Sequence, residues 1–505
     1  MIAASLYPPG RPLSLLLASL AAVPAEQDRL VTGMTVDSRA VERGDLFLAL
    51  AGTQRHGLAH VADAVERGAA AIVYEPLDEP TLESALAYCR RHRIACLAVP
   101  ELSRRAGLLA ARFYDEPSRE LAVVGVTGTD GKTSVSQFLA QALSEPAHPC
   151  GVIGTLGYGV HGQLRPASHT TPDAVRIQAL LAEARDQGAR HAAMEVSSHA
   201  LDQARANGVR FACAVLTNLG RDHLDYHTDM AAYAAAKAKL FRSESLRHAV
   251  LNADDAFGRQ LCEELAGRVP FTAYSLREDA PVALRALRLH CRPEGLDLRV
   301  DLQGEQASLR VPLLGRFNAA NVLAVLGALH ALGMPLPEAV ERLRRLQPVP
   351  GRMERFGGGG SPSVVVDYAH TPGALSAALQ AMREHVQGRL WLVFGCGGDR
   401  DAGKRPLMGA AADAGADAVV LTDDNPRQED GDAIIRGILD GFCRQKPVVI
   451  RNRKAAIRWA VSRAAPDDVV LVAGKGHESW QLSAGRRLAH SDRDLARKLV
   501  GRALP

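Results

Sequence analysis

Val123-Val124-Gly125-Val126 runs into Thr127-Gly128-Thr129-Asp130-Gly131-Lys132-Thr133-Ser134, an apolar β-branched stretch that breaks into glycines and ends on Lys-Thr. Those residue types at that spacing hold nucleotide phosphates. Gly128 and Gly131 lack a Cβ, so backbone N–H groups can close on an anion; Lys132 supplies a point charge, and Thr133 offers a hydroxyl to Mg2+. Val126 stands where a GxxxxGK[ST] pattern has its first glycine, so the loop is a GTxGKT variant. Gly128, Thr129, Asp130, Gly131, Lys132, Thr133 and Ser134 are therefore candidate ATP-binding residues, with Lys132 also catalytic.

Further residues could carry chemistry. Glu195 ends an apolar run, where a carboxylate can share Mg2+ with Thr133. His223 and His227 lie four apart with Asp222 and Asp225 between them, but no thiol or third histidine completes a zinc site. Lys237, in Tyr233-Ala-Ala-Ala-Lys-Ala-Lys-Leu-Phe, reads from periodicity as a solvated surface lysine.

The elements that must position these groups alternate strand and helix. Residues 1 to about 119 mix short strands (31–36, 46–50, 71–74 and 96–99) with helical stretches, and close on the turn cluster Asp115-Glu116-Pro117-Ser118. The apolar stretch 13–23 faintly resembles a secretory signal, but Pro12 interrupts it and a charged leader is nearly absent. It is expected as an amphipathic first helix. The second block alternates through 191–196 and 212–217, then turns to period-two patterning at 296–302 and 307–313, the mark of strands with one wet face. In the third block, apolar runs at 364–366, 390–394, 418–421 and 469–472 each lead into a polar or glycine-bearing loop. A parallel doubly wound sheet would bring those loops to one crevice. Gly395-Cys396-Gly397-Gly398-Asp399-Arg400 fails the dinucleotide fingerprint because Arg400 replaces its last glycine. The expected architecture is α/β in three domains: 1–119, 120–350 and 351–505.

Composition agrees with a large globular enzyme. The 505 residues suit about three domains of ~150 residues. Sixty Lys and Arg stand against 56 Asp and Glu with no basic stripe, so nucleic acid is not indicated. No apolar run approaches the ~20 residues of a membrane span. Eight cysteines without a CxxC pair read as free thiols of a reducing cytoplasm.

GTDGKT at 128–133, MEVSSH at 194–199, TNLGRDHLDYH at 217–227, YAAAKAKLF at 233–241, GRFNAAN at 315–321, GRME at 351–354, VDYAHTP at 366–372 and DNPR at 424–427 stand in order over most of the chain. Together they resemble the Mur ligases. The resemblance implies a UDP-sugar-binding domain, a central ATPase with a parallel sheet, and a Rossmann-like C-terminal domain that binds the incoming amino acid. Within the family it points to the member that joins meso-diaminopimelate to UDP-N-acetylmuramoyl-L-alanyl-D-glutamate. Beside the Mg2+ shared by Thr133 and Glu195, it implies a second Mg2+ held by His223 with Glu195, with His227 structural. Lys237 matches the family's lysine carried on CO2 as a carbamate, an anionic metal ligand. Asn318, Arg352 and Asp367 are implied to contact nucleotide, and Ser38, Thr170, Thr171, Ser197, Gln203 and Arg205 the UDP-sugar dipeptide. Asp130 departs from the asparagine often found there.

An amide bond needs an activated carboxylate, so ATP must first make an acyl phosphate that the amine then attacks. Meso-diaminopimelate differs from lysine by one carboxylate, and an arginine fork reads a planar carboxylate. Arg400 and Arg427 fit that role; Asp424, Asn425, Pro426, Gly474 and Glu478 line the same site, with Glu478, Asp424, Asn425 and Gly474 expected at the ammonium end. The expected partners are small molecules only, for a cytoplasmic monomer. Folylpolyglutamate synthetase shares the phosphate loop, but the DNPR and GKGHE loops fit it poorly; a GTP switch lacks an NKxD segment.

Overall fold

The computed structural model describes residues 10–52, 55–76 and 80–501. The chain divides into two compact units, residues 1–273 with 327–334 and residues 274–326 with 335–505.

Among the described residues the first unit contains two larger sheets and a two-stranded pair. Gly33–Thr35, Asp45–Ala49, Ala71–Tyr74 and Ala95–Ala98 pair in that order, all parallel. Leu46, Leu48, Ala71 and Val73 pack with Leu102, Leu109 and Phe113 in one cluster, while Phe47, Ala49, Ile72 and Tyr74 pack with Leu58, Val61 and Cys89 in another. Burial on both faces is why these strands read as unbroken apolar runs. The single strand expected at 31–36 is split. Leu30–Val31 pairs antiparallel with Arg11–Pro12, and Thr32 donates its N–H to the Gly44 carbonyl before Gly33–Thr35 joins the parallel sheet. The first helix is also shorter than periodicity suggests, covering only Leu13–Leu16. Arg112 Nη1 donates to the carbonyls of Leu16 and Ala18 at 2.8 and 2.6 Å, and Ser19 adopts φ 64°, so a side chain replaces the next helical turn.

In the second sheet, Ala122–Thr127 lies between His191–Glu195 and Phe211–Leu216, parallel to both. Gly151–Gly154 follows on one side and Ala249–Asn252 on the other. Glu195 sits opposite Val126, and Leu216 opposite Thr127. Both neighbouring strands therefore end where the phosphate loop begins.

In the second unit, Leu284–Arg292, Gly295–Leu302 and Glu305–Val311 form the antiparallel meander expected from period two. The larger sheet runs Glu354–Gly357, Ser363–Asp367, Val469–Ala473, Leu390–Phe394, Ala418–Leu421, Val448–Val449, parallel except for its first pair. Alternate residues serve opposite faces. Val365, Leu392, Leu421 and Leu471 pack with Leu375, Met408 and Ile434, while Val364, Val393, Val420 and Val470 pack with Ile457 and Leu495. Helices on both faces make the sheet doubly wound, and the four polar loops extend from the carboxyl ends of its strands.

All eight cysteines are free thiols. Among the described residues no helix is long and apolar enough to cross a membrane.

Candidate active site

The phosphate loop is shaped by its two glycines. Gly128 has φ 150°, and a Cβ there would fall 1.8 Å from Thr217 Oγ1; Gly131 has φ 83° and opens helix Lys132–Leu143. The helix N-terminus leaves backbone N–H groups and the positive end of the dipole at the loop, an anion site. Backbone contacts hold the rest in place: the Asp130 N–H donates to Asn218 Oδ1 at 3.0 Å, and the Asp130 carbonyl accepts from Thr217 Oγ1 at 2.5 Å. The Asp130 side chain is exposed, so the departure noted in the sequence leaves the loop's framework intact. Thr129 Oγ1 lies 3.2 Å from the Tyr233 hydroxyl, and Ser134 is buried in the first turn of the helix.

Thr133 Oγ1 donates to Glu195 Oε2 at 2.9 Å. Thr155, just past strand Gly151–Gly154, holds the same carboxylate through its N–H at 2.8 Å and its hydroxyl at 3.2 Å. Among the described residues no three His, Cys, Asp or Glu side chains gather as a metal cage. Two hard oxygen donors beside a phosphate loop nevertheless suit Mg2+, which keeps most of its waters and takes phosphate oxygens. His223 has φ 53° and packs edge-on to His199 with ring centroids 4.9 Å apart, in a cluster that includes Tyr226, His227 and Tyr233. Burial and the neighbouring His223 charge lower the His199 pKa. His227 is buried within the cluster.

Five expected substrate residues form one network continuous with Glu195. Thr171 Oγ1 donates to the Glu195 carbonyl at 2.8 Å and accepts from the Ser197 N–H at 3.1 Å. Thr170 Oγ1 lies 3.0 Å from Thr155 Oγ1; Arg205 donates to the Thr171 carbonyl at 2.9 Å and to Gln203 Oε1 at 2.6 Å. Ser38 is placed elsewhere, buried in the turn Ser38–Ala40 and hydrogen-bonded to Asp63.

Lys237 is not the surface lysine that periodicity suggests. Helix Met230–Phe241 starts on an Asp229 cap and turns Lys237 inward, 1% exposed, with Nζ 2.8 Å from the Gly128 carbonyl and 4.4 Å from the Tyr233 ring centroid. Burial, reinforced by the Lys132 charge, lowers its pKa to about 6. It is therefore a neutral amine at neutral pH.

In the second unit, Asn318 Nδ2 donates to the Leu314 carbonyl, and its Oδ1 accepts from Asn321 Nδ2. Arg352 lies over the Tyr368 ring, 4.5 Å from its centroid, and Asp367 receives the N–H groups of Met353 and Ala369, both at 2.8 Å. Burial raises the Asp367 carboxyl, with Arg352 opposing. Gly351 backs onto Gly476 and His477 so closely that a Cβ would lie 2.1 Å from the His477 N–H nitrogen.

The loops at 395–400, 422–427 and 474–478 pack on one another through glycine. A Cβ at Gly395 would meet the Thr422 carbonyl at 2.0 Å, and one at Gly398 would meet the Pro426 carbonyl at 2.0 Å. The glycines of GCGGDR thus serve loop packing. Arg427, half-buried with φ 55°, donates Nη1 to the Gly398 carbonyl at 2.5 Å, while Arg400 is exposed. A Cβ on Gly474 would fall 2.6 Å from Asp424 Oδ2. Asn425 Nδ2 donates to Glu478 Oε2 at 3.1 Å. Between Gly474 and Gly476 stands Lys475, fully buried and bonded to both Asn425 and Glu478. Sequence reasoning did not single it out, although a lysine flanked by two glycines at a strand's carboxyl end was a usable signal. Thr155 gave none, being a common residue type after a short strand.

Three family profiles match in order: "Mur ligase family, catalytic domain" over 30–114, "Mur ligase middle domain" over 126–329, and "Mur ligase, glutamate ligase domain" over 351–476. The chain is 55% identical over 478 residues to the UDP-N-acetylmuramoyl-L-alanyl-D-glutamate--2,6-diaminopimelate ligase of Alkalilimnicola ehrlichii, covering 94% of this chain and 95% of that protein. A solved structure of a ligase with the same name superposes with TM-score 0.70 at 35% identity, covering 93% of this chain and 95% of the other. Mycobacterium tuberculosis folylpolyglutamate synthase, at 21% identity and TM-score 0.61 over 80% of this chain and 96% of its own, shares the fold. With family profiles across most of its length and a relative sharing more than half its residues, the chain belongs to the Mur ligase family and has its three-domain α/β architecture.

Proposed function

We propose that this chain joins meso-diaminopimelate to the D-glutamate of UDP-N-acetylmuramoyl-L-alanyl-D-glutamate in peptidoglycan precursor synthesis, splitting ATP to ADP and phosphate, as a cytoplasmic monomer that needs neither nucleic acid nor membrane. The observation that carries the amino-acid choice is Arg427, held by the Gly398 carbonyl in a loop shared with Asp424, Asn425 and Pro426. A guanidinium placed there reads the second carboxylate that lysine lacks. The relative's name specifies the same amino acid.

In this reading 1–119 binds the UDP sugar, 120–350 binds ATP, and 351–505 binds the amino acid. Gly128 to Ser134 cradle the phosphates, and Lys132 neutralises charge on the γ-phosphoryl group as it passes to a carboxylate oxygen of the dipeptide, releasing ADP. The substrate amine attacks the acyl phosphate carbon through a tetrahedral intermediate, the C–O bond to phosphate breaks, and the amine loses a proton. Thr133 with Glu195 would hold one Mg2+ and His223 with Glu195 a second, and their chemistry when bound is to offset phosphate charge. The neutral amine of Lys237 is the nucleophilic form, suited to take up CO2 as an N-carboxylate, losing a proton and becoming an anionic metal ligand. Asn318, Arg352 and Asp367 would meet the nucleotide; Ser38, Thr170, Thr171, Ser197, Gln203 and Arg205 the UDP-sugar dipeptide; Arg400, Gly474 and Glu478, with the Arg427 loop, the diamino acid.

The test is mass analysis of the nucleotide product after incubation with ATP, Mg2+, the UDP-dipeptide and diaminopimelate. The reading predicts a UDP-tripeptide heavier by one diaminopimelyl residue; an unchanged dipeptide refutes it.

A further inference from the structure

We infer that Lys475 is the positioning residue of the amino-acid site: its buried ammonium locks Asn425 and Glu478 together, leaving one oxygen of Glu478, and no side-chain atom of Asn425, to receive the ammonium of the incoming diamino acid. The inference rests on the function proposed above and assigns the internal order of that site.

Hydrogen-bond capacity decides the assignment. Lys475 Nζ donates to Asn425 Oδ1 at 3.0 Å and to Glu478 Oε2 at 2.8 Å, and stands 5.5 Å from the Trp480 ring centroid. Asn425 Oδ1 also accepts the Leu482 N–H at 2.9 Å. Both lone pairs of that amide oxygen are filled, and its nitrogen only donates, so the Asn425 side chain has nothing to offer a cation. Glu478 Oε2 likewise takes two donors, Lys475 Nζ and Asn425 Nδ2. Among the described residues no hydrogen bond reaches its Oε1. The Glu478 side chain is 20% exposed while that of Lys475 is 0% exposed, so the carboxylate looks outward and the lysine lies beneath it.

A fully buried ammonium is costly unless paired, and here two of its three N–H donors meet Asn425 Oδ1 and the Glu478 carboxylate. It fixes the Glu478 rotamer with a charge-assisted bond before substrate arrives, which removes an ordering cost from binding. Loss of that arrangement should appear in the affinity for the amino acid and not in that for ATP or the UDP-dipeptide.

Lys475→Met, Glu478→Gln and the double variant test this. We expect Lys475→Met to raise KM for diaminopimelate about tenfold or more, with the KM values for ATP and the UDP-dipeptide within about twofold of the parent. The double variant should be no worse than Glu478→Gln alone, because the lysine acts through that carboxylate. A uniform rise in all three KM values, or effects that multiply in the double variant, would overturn the inference. If Lys475→Met does not fold, Asn425→Ala replaces it in the same cycle: a raised diaminopimelate KM that does not add to Glu478→Gln supports the lock, and an unchanged KM or additive effects overturn it. The parent enzyme is assayed alongside with lysine. Activity of the parent with lysine instead of diaminopimelate refutes the proposed function, and the cycle is then read with lysine.

Discussion

Lys132 and Lys237 donate to the same acceptor, the carbonyl oxygen of Gly128, at 2.9 and 2.8 Å. Two ammonium groups cannot share one buried carbonyl cheaply. The more buried Lys237 loses its charge, its pKa falling to about 6 through burial first and the Lys132 charge second. A neutral amine beside the phosphate loop is ready to react with CO2.

Activity should therefore depend on dissolved CO2. In CO2-depleted buffer the rate is expected to fall severalfold and to recover on adding bicarbonate, while Lys237→Met is slow under both conditions. Initial rates at fixed pH with and without bicarbonate check this; a parent rate indifferent to CO2 contradicts the carbamate.

The Thr133–Glu195 contact predicts a metal phenotype. Thr133→Ala should lower kcat/KM by about 10²–10³ and shift the Mg2+ titration to higher concentration, because the hydroxyl that would share Mg2+ with Glu195 is lost. The readout is phosphate release across a Mg2+ series, and an unshifted midpoint counts against the assignment.

Gly128→Ala should abolish nucleotide binding with little wider damage. The new Cβ would lie 1.8 Å from Thr217 Oγ1 at φ 150°, so the loop must move. Equilibrium binding of an ATP analogue by calorimetry, with a melting curve alongside, separates this from unfolding.

Asp492 supplies a pH prediction. It is fully buried with Arg453 and also bonded to His490. Burial alone would raise its carboxyl, but Arg453 and His490 hold it well below the usual range. The unfolded chain, with a carboxyl near pKa 3.9, binds more protons than the native state below about pH 5. This stabilisation is thus complete at neutral pH, begins to fall near pH 4 and is lost progressively as pH drops towards the lower folded-state pKa. Asp492→Asn should cost about 3–5 kcal/mol at pH 7, since it leaves Arg453 without its counter-charge, and should flatten the acid limb of stability against pH. Urea melts from pH 3 to 8 measure both.

What the sequence disclosed follows from what it encodes locally. The parallel strands at 364–366, 390–394 and 469–472 were legible because burial on both faces leaves unbroken apolar runs. The Thr133–Glu195 contact was legible because a phosphate loop and the end of a neighbouring apolar run bring a hydroxyl and a carboxylate together. The inward turn of Lys237 was not legible in periodicity, only through the family resemblance, since its burial comes from the phosphate loop and Tyr233, partners distant in sequence from its helix or polar in type. The break at Thr32 was invisible for a similar reason: its N–H answers to Gly44, twelve residues away. The two glycines flanking Lys475 mark it at a strand's carboxyl end, but its bonds to Asn425 and Glu478 depend on packing that pattern does not encode.

The most direct measurement is phosphate release from ATP and the UDP-dipeptide with meso-diaminopimelate, with L-lysine and with no amine, for the parent and Arg427→Ala. The account predicts release by the parent only with diaminopimelate, and loss of about 2–5 kcal/mol of preference over lysine in the variant. Equal release with lysine by the parent, or full selectivity retained by Arg427→Ala, would contradict it.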